Sequence, residues 1–411
     1  MKILIINYKN LILGGIEHYL LYLIQNCLQK KFRIIWLTTD SPIVDNSFAK
    51  FVPRLEKVVV KRFGLKRFYK TPKIQINNDD EVIFISFSTY DFIFSERVCR
   101  KNKINAKLFY ILPHFKGVNY YYEDCLKFGS VMYKIVVNHS KKFFNKLINN
   151  NSLFCFADKQ VESINTRYDL NLSVEKIKIP PFEPVKNFDL PLVRCRFRSK
   201  PFTIISVGRF EFPHKGYLIG LIDAVATLII DNYDINLKIV GHGPDKEKIM
   251  EKINSFPEYI KKHFIVLSPV SPLEIADVMN DVHMSISLAG AVSQAARNFL
   301  ISVPVRHWSY SCECYGFLPE SKANILSIEK GIDVKDIIKQ VYKMDEASFI
   351  LYSRKSYETF NLDIDQDFIL NQKNVSLFRY NLIERISNSV FNSGVRLATF
   401  FSRKILKKYV Y

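Results

Sequence analysis

The stretch IISVGRFEFPHKGYLIGLIDAV, residues 204–225, decides the fold of the second half of this 411-residue chain. Its apolar start is typical of a buried strand that ends at Gly208, and a helical pattern begins after Gly216. A buried strand followed by a loop and a helix is the repeating unit of a parallel sheet. Ligands of such sheets bind beyond the carboxyl ends of the strands, so Arg209 and Lys215 are candidates to hold a pyrophosphate. The alternative is a solvated basic loop.

The alternation of strand and helix extends through both halves of the chain. In the first half we expect strands at KILII, RIIWLTT, KVVVKRF, VIFISFS, KLFYIL, KIVVN, LFCFA and KIKIP, with helices such as IEHYLLYLIQNCLQK and SKKFFNKLINN. In the second half we expect strands at FTIISV, INLKIV, FIVLS, HMSIS, VPVRHW and NILSI, with PLEIADVMND among the helices. The pattern predicts an α/β fold of two Rossmann-like, doubly wound parallel-sheet domains that face a cleft, with a basic C-terminal helical tail.

A proline-rich segment at residues 180–201 separates the two halves. Prolines and alternating charges are typical of a linker. We therefore predict a first domain at residues 1–185, a linker at 186–200, a second domain at 201–370 and a basic helical tail at 371–411.

The composition indicates a globular protein that binds an anionic partner. Hydrophobic residues make up 48% and charged residues 24% of the chain, which excludes a disordered protein, and the net charge is +19. Seven cysteines at irregular spacings indicate free thiols in a reducing compartment and give poor zinc geometry. The N-terminal apolar run is too short for a signal peptide, and no run of 18 apolar residues occurs, so we expect a cytoplasmic chain.

Two further strand-to-helix junctions carry glycines. Gly14 and Gly15 stand in NLILGGIEHYLLYL, where they allow the backbone to approach a ligand closely or form an ordinary tight turn. Gly241 and His242 stand in LKIVGHGPDKEKI, where the glycine favours a sharp exit from a buried strand over direct ligand contact. The sequence does not decide whether the side chain of His242 faces the cleft or the solvent.

The stretch SLAGAVSQAARNFLISVPV, residues 287–305, contains a helix start of small residues. Gly290, Ala291 and Val292 leave the first amides uncovered, so an anion can dock on the helix dipole; the alternative is close packing of helix on sheet. Another candidate, His114, follows the strand KLFYIL in a loop, where it can act as an acid, a base or a hydrogen-bond donor.

Taken in order, these motifs resemble those of GT-B glycosyltransferases that use nucleotide sugars, close to glycosyltransferase family 4. The resemblance covers about residues 1–330. VGRFEFPHKGYLIGLIDAV is the most specific match, with Gly208, Arg209, Lys215 and Gly216 at the family's spacing. GGIEHYLLYL resembles the family's N-terminal loop and helix, and KIVVNHSKKFFNKL resembles its strand followed by a serine that opens a helix, here Ser140.

The resemblance implies that residues 1–185 form the acceptor domain, that residues 201–370 form the nucleotide-sugar donor domain, and that crossing and basic amphipathic helices follow at 371–411. It also implies a role for each site residue. Arg209 and Lys215 would neutralise the phosphates of a nucleoside-diphosphate sugar and of the leaving diphosphate, with the amides of Gly290, Ala291 and Val292 beside them. Gly14 and Gly15, with Gly208, Gly241 and His242, would line the donor site. His114 would lie near the transferred sugar. No metal and no cofactor are implied, because the cations take that role.

The chain departs from the family at two acidic positions. Family members carry two glutamates, eight positions apart, around the helix of the donor site, and Ala289 and Arg297 stand at these places. Arg297 would face a donor phosphate or pack at the surface. The departure puts in doubt the donor, a retaining mechanism and activity itself.

The tail, residues 376–411, carries seven Lys and Arg against the single acid Glu384. Basic residues among recurring apolar ones are typical of an interfacial helix on an anionic membrane. The alternative is a helix that crosses back onto the N-terminal domain. Both can hold, with residues 376–390 packing and 391–411 on the membrane.

The resulting expectation is a glycosyltransferase that extends a glycan or lipid-linked acceptor in bacterial surface polysaccharide or lipopolysaccharide synthesis, peripheral on the inner face of the cytoplasmic membrane. A nucleotide-sugar epimerase of the same fold and a degenerate GT-B subunit that acts as a scaffold are the alternatives. A nucleic-acid partner is not expected, because the basic residues are dispersed.

Overall fold

A computed structural model of the chain forms two compact units, Met1–Phe182 with Asp365–Tyr411, and Glu183–Ile364. The structure describes residues 1–12, 14–60, 62–63, 68–113, 131–156, 158–179, 187–321, 328–360, 367–372, 375, 378–381 and 384, without the side chains of 62–63, 68–69, 131–133, 135–136 and 159.

The first unit is built on a six-stranded parallel sheet in the order β3-β2-β1-β6-β7-β8. Its strands are β1 Lys2–Asn7, β2 Arg33–Thr38, β3 Glu56–Val59, β6 Glu81–Ser86, β7 Ala106–Leu112 and β8 Leu153–Cys155, with a separate pair β4 Arg62–Phe63 and β5 Phe68–Tyr69. Its helices are α1 Gly15–Gln29, α2 Thr89–Lys101, α3 Val131–Asn149, α4 Asp158–Tyr168 and α5 Val174–Ile177, with 3₁₀ turns at Asn46–Phe48 and Val52–Arg54.

The second unit is built on a five-stranded parallel sheet in the order β11-β10-β9-β12-β13. Its strands are β9 Phe202–Val207, β10 Ile235–Val240, β11 Phe264–Leu267, β12 Met284–Ser287 and β13 Ile301–Pro304, with an antiparallel pair β14 Glu313–Cys314 and β15 Ile332–Asp333. Its helices are α6 Leu190–Arg198, α7 Tyr217–Ile230, α8 Lys246–Asn254, α9 Glu258–Lys261, α10 Ile275–Val278, α11 Gly290–Arg297, α12 Leu318–Ser321, α13 Val334–Tyr342 and α14 Glu346–Phe360.

Continuous apolar strands explain both sheets. In β1, Ile3, Leu4, Ile5 and Ile6 are all fully buried, because a strand in the middle of a parallel sheet is covered on both faces. The predicted pair of Rossmann-like parallel-sheet domains is therefore confirmed.

One predicted strand is wrong. The run KIVVN lies inside α3, so Ser140 stands within that helix and does not open it. Phe143, Phe144 and Leu147 recur at helical spacing and are buried, and this apolar stripe outweighs the strand preference of the β-branched residues. The next strand along the sheet is β8, which pairs with β7.

Other boundaries differ from the sequence pattern in smaller ways. KIKIP forms the end of α5 and an isolated bridge between Lys178 and Cys155. VPVRHW contributes only its first residues to β13, and PLEIADVMND yields the single turn α10. NILSI lies mostly outside the described residues.

The segment predicted as a linker contains the helix α6, which belongs to the second unit. Val193 on this helix is fully buried in the second unit's core. Arg196 is 2% exposed, and its guanidinium donates from Nε to Asn280 O at 3.1 Å and from Nη1 to Asn298 O at 2.7 Å. These contacts fix α6 on the domain, so the free linker is shorter than 186–200.

The chain returns to the first unit after residue 364. Asp367 accepts a hydrogen bond from Asn26 Nδ2 at 2.8 Å and pairs with Lys30, both at the end of α1. Phe378 packs edge-on against Phe92 with ring centroids 4.8 Å apart. The crossing therefore covers α1 and α2 of the first unit.

The rest of the predicted tail, residues 385–411, lies outside the described residues. In the part of the chain that is described, no helix combines the length and the apolar character needed to cross a membrane.

Candidate functional site

The carboxyl ends of β9 and β12 form the centre of the candidate site. These strands are neighbours, and the chain continues from them toward opposite edges of the sheet, which makes this the switch point where ligands of such sheets bind. Gly208 and Arg209 follow β9, and Leu288, Ala289 and Gly290 follow β12.

The loops after β9 and β10 touch through their backbones. Gly208 N donates to Val240 O at 3.0 Å, and Phe210 N donates to His242 O at 2.7 Å. A Cβ atom on Gly241 would lie 1.9 Å from Gly208 O, and one on Gly243 would lie 2.2 Å from Phe210 O. Glycine at both positions is explained by this close approach, and the half-buried His242 contributes its carbonyl to the same contact.

Lys215 is the buried cation of the site. It is 9% exposed, and its side chain passes over Gly208, where an added Cβ would lie 3.6 Å from Lys215 Cε and 3.7 Å from Nζ. In the part of the chain that the structure describes, no acidic side chain pairs with its ammonium group. Burial lowers the pKa of Lys215 to about 8, because the uncharged form is favoured away from water.

Arg209 is the exposed cation of the site. Its side chain is 59% exposed, and Nε lies 3.6 Å from Glu211 Oε2. An exposed ion pair of this length is weak, so the guanidinium can move to a bound anion at little cost. The structure thus brings Arg209 and Lys215 to one strand end, as the sequence predicted.

The start of α11 differs from the open amide cradle that the sequence suggested. Gly290 is exposed and has no atom within 4 Å of an added Cβ. Ala291 N already donates to Leu288 O at 3.2 Å, and Val292 N to Ala289 O at 3.0 Å. The residue before the helix, Ala289, has a φ of 51°, which is strained for any residue with a side chain.

Arg297 lies at the other end of α11 and contacts α14. Its Nη2 donates to Phe360 O at 3.3 Å, at the last residue of that helix, where a cation is favoured by the helix dipole. This supports the packing alternative for Arg297. Its role toward a donor stays a prediction.

The acidic residues near the site do not replace the two missing glutamates. Glu313 accepts hydrogen bonds from Gly331 N at 3.0 Å and Arg306 Nη1 at 3.1 Å. The hydrogen bond from Gly331 is the main reason that the pKa of Glu313 is lowered. This carboxylate therefore holds the β14–β15 pair, and Glu320 is exposed on α12.

In the first unit, Gly14 and Gly15 stand at the start of α1, as predicted. No atom lies within 4 Å of an added Cβ on Gly15, so its backbone faces open space. Glu17 Oε2 lies over Gly14, and Glu17 Oε1 accepts a hydrogen bond from Tyr8 Oη at 2.7 Å. His114 lies outside the described residues.

Sequence reasoning missed a second polar cluster, at the switch point between β1 and β6. Ser88 caps the start of α2, because its Oγ accepts from Asp91 N at 3.1 Å, and the same Oγ donates to Asp91 Oδ2 at 2.6 Å. Asn7 at the end of β1 donates to Asp91 O at 2.9 Å. Burial raises the pKa of Asp91 to about 6. The signal in the sequence was the pattern Ser-x-x-Asp directly after a strand.

A resident metal would need a cluster of ligands. Among the described residues, no group of three or more His, Cys, Asp and Glu side chains is placed to hold a metal ion. Independence from metals stays a prediction.

Solved structures share this fold at low sequence identity. S. aureus TarM in complex with Fondaparinux, alpha-GlcNAc-glycerol and UDP is 12% identical with a TM-score of 0.53, covering 90% of this chain and 98% of that one. A glycosyltransferase from Rickettsia africae is 12% identical with a TM-score of 0.52, covering 95% and 98%. No model of a known protein family matches the sequence, and the search of curated proteins gives no match. The likeness confirms the GT-B fold and, at this identity, the fold alone.

The backbone contact of Gly241 gives a first prediction. Gly241→Ala should lower the free energy of unfolding by about 3 kcal/mol or more, because the methyl group overlaps Gly208 O. Gly290→Ala is the matched control, since its Cβ meets nothing, and should change stability by no more than about 1 kcal/mol. Urea unfolding measures both, and an unchanged midpoint for Gly241→Ala would contradict the contact.

The buried ammonium of Lys215 gives a second prediction. Lys215→Met should stabilise the protein at pH 7 by about 1–3 kcal/mol, because a buried charge is replaced by an apolar chain of similar length. The unfolded lysine keeps its proton up to about pH 10. The wild type therefore gains stability as the pH rises from 8 toward 10, and the difference between the two proteins shrinks.

Thermal unfolding at several pH values tests this prediction. Lys246→Met is the control, because Lys246 is exposed on α8 and should change stability by less than about 0.5 kcal/mol. A destabilised Lys215→Met would mean that the ammonium has a partner.

Proposed function

We propose that the chain is a glycosyltransferase that moves a sugar from a nucleoside-diphosphate sugar to a hydroxyl group of a glycan or lipid-linked acceptor. The observation that carries the proposal is Lys215, a nearly buried cation for which the described residues provide no acidic partner, beside Arg209 at the switch point of the second sheet. A buried charge that the protein leaves unpaired is a strong sign of an anionic ligand.

The proposed reaction develops charge where these cations lie. The bond between the sugar's C1 and the diphosphate breaks, the diphosphate leaves with the electron pair, and the acceptor oxygen bonds to C1 while its hydroxyl loses a proton. Lys215 and Arg209 would stabilise the leaving diphosphate, and fixed cations in a partly dry site do this more effectively than water. The UDP in the TarM complex is in keeping with a nucleotide ligand for this fold.

The finer parts of the proposal follow the resemblance to glycosyltransferase family 4. They are a retaining transfer without a metal or cofactor, donor contacts from Gly14, Gly15, Gly290 and His242, and a role in bacterial surface polysaccharide or lipopolysaccharide synthesis. The net charge of +19 supports a location at the cytoplasmic face of a membrane, because anionic lipids there attract basic proteins.

A specific observation favours one alternative, a GT-B subunit without activity that binds a partner. Ala289 and Arg297 replace the two acidic residues of the family, and Arg297 contacts α14. The amides of Ala291 and Val292 are also engaged within the chain. In this alternative the fold persists while donor binding is lost.

Nucleotide binding separates the two functions. We expect one of UDP, GDP, ADP, CDP or dTDP at about 1 mM to raise the thermal midpoint of the wild type, because a ligand that binds only the folded state stabilises it. Arg209→Ala and Lys215→Ala should abolish most of the shift, and Lys246→Ala should keep it. Above pH 8 the shift should decrease, since Lys215 loses its proton there.

Two results would contradict the proposed donor site. The first is the absence of a shift with every nucleotide, which would favour the scaffold alternative. The second is an equal shift in Lys215→Ala, which would place the nucleotide elsewhere.

The membrane partner has its own test. Vesicles with anionic lipid should float the full chain, and deletion of residues 391–411 should reduce the bound fraction several-fold, because five of the seven Lys and Arg in residues 376–411 are removed. Neutral vesicles are the control. Equal flotation of the deleted protein would exclude the tail as the anchor.

A further inference from the structure

The segment after β13 folds back over the start of α7. Val305 bridges Cys314, and Arg306 N donates to Glu313 O at 2.9 Å. Between these points the segment lies close against two glycines at the start of α7. An added Cβ on Gly216 would lie 2.8 Å from Ser309 O, and one on Gly220 would lie 2.4 Å from Cys312 N. The segment is therefore packed directly beside the loop that carries Lys215.

Two large aromatic side chains on this segment are exposed. Trp308 is 58% exposed and Tyr310 is 53% exposed. They are two positions apart, and the rings of both contact the loop before α7. The centroid of His214 lies 5.3 Å from that of Trp308, and the centroid of Phe212 lies 6.0 Å from that of Tyr310. We call these four residues the aromatic platform.

The backbone of the platform is strained and held in place. Trp308 has a φ of 56°, a left-handed conformation that is unfavourable for a bulky residue. Its N–H donates to His214 O at 3.5 Å. Strain of this kind persists only where the surroundings fix it, and it concentrates at ligand sites.

Hydrogen bonds along the segment provide that support. Ser309 Oγ and Ser311 Oγ are 2.8 Å apart, and Ser311 Oγ donates to Glu313 Oε1 at 3.1 Å. Glu313 is in turn paired with Arg306. The exposed rings are thus presented by a braced segment that places hydroxyl and carboxylate groups next to them.

We propose that the aromatic platform of Phe212, His214, Trp308 and Tyr310 binds a pyranose ring of a glycan. The flat indole face would stack on the apolar C–H face of the sugar, while the neighbouring serine hydroxyls and the imidazole would bond to its hydroxyl groups. The proposal rests on the proposed function, since it assigns a sugar-binding surface beside the loop of Lys215.

The size and chemistry of the patch favour a sugar over other occupants. Two exposed side chains with half-buried neighbours offer far less than the area of about 1,000 Å² that a specific protein interface needs. An aromatic face of this size matches one or two pyranose rings. A nucleobase could also stack there, and the experiment separates it from a sugar.

Tryptophan fluorescence gives a direct readout. The chain has two tryptophans, and Trp36 is 1% exposed, with Nε1 donating to Tyr8 O at 2.7 Å. Quenching by acrylamide therefore reports mainly on Trp308. We expect a panel of maltohexaose, chitohexaose and cellohexaose at about 10 mM to include a member that lowers the quenching constant about twofold, as for millimolar binding.

Variants assign the effect to the platform. Trp308→Asn removes the ring and suits the left-handed backbone, so the protein should fold, and saturation-transfer NMR should show affinity for the same oligosaccharide at least about tenfold lower. Trp308→Phe should lose less affinity for the oligosaccharide, because it keeps an aromatic ring. Tyr259→Ala is the matched control, because Tyr259 is also 58% exposed in the second unit and should leave both readouts unchanged.

The outcomes are distinct. If no oligosaccharide protects Trp308, or if Trp308→Asn binds as well as the wild type, the platform is not a sugar site. Protection by oligothymidylate or uridine without protection by the sugars would overturn it in favour of base stacking. Nucleotide-dependent thermal shifts on the same samples report on Lys215, so this proposal and the proposed function can fail separately.

Discussion

In the second unit, the backbones of the loops that follow β9 and β10 lie so close together that there is no room for a side chain between them. The carbonyl oxygen of Gly208 occupies the space that a Cβ at position 241 would need, and Gly243 meets Phe210 in the same way. The two loops therefore form one layer at the carboxyl edge of the sheet. The side chain of Lys215 passes over Gly208 in this layer, with Cε and Nζ at van der Waals distance from the place of an added Cβ.

Two buried cations of the second unit show how differently a protein can treat such a charge. Arg196 is as deeply buried as any polar residue of α6, and carbonyl groups of Asn280 and Asn298 accept its hydrogen bonds. Lys215 has no comparable partner in the described part of the chain, and its burial lowers its pKa. The first arrangement joins a helix to the domain. The second leaves the ammonium group without a charged partner among the described residues, and this is the physical basis of our proposal that it binds an anionic ligand.

The strand pattern and the glycine loops were predictable from the sequence because they depend on local chemistry. Gly208, Arg209 and Lys215 fall at the strand end where the alternation of elements placed them. The error at KIVVN had a local cause too, since β-branched residues favour strands while the helical stripe of α3 is satisfied only in the packed domain. Long-range contacts could not be predicted from local patterns. The hydrogen bond from Arg297 to Phe360, for example, joins residues 63 positions apart.

The first unit is made from two separate pieces of chain, and this sets the order in which the protein can be completed on the ribosome. Phe92 and the end of α1 are synthesised early, but Phe378 and Asp367, which cover them, follow the entire second unit. At ordinary rates of translation of about 5–20 residues per second, the delay between Phe92 and Phe378 is about 15–60 s. During this time the second unit, a continuous segment, can fold to completion while the first still exposes an aromatic surface to chaperones. A truncation that removes Asp367 and Phe378 would therefore damage the first unit and spare the second.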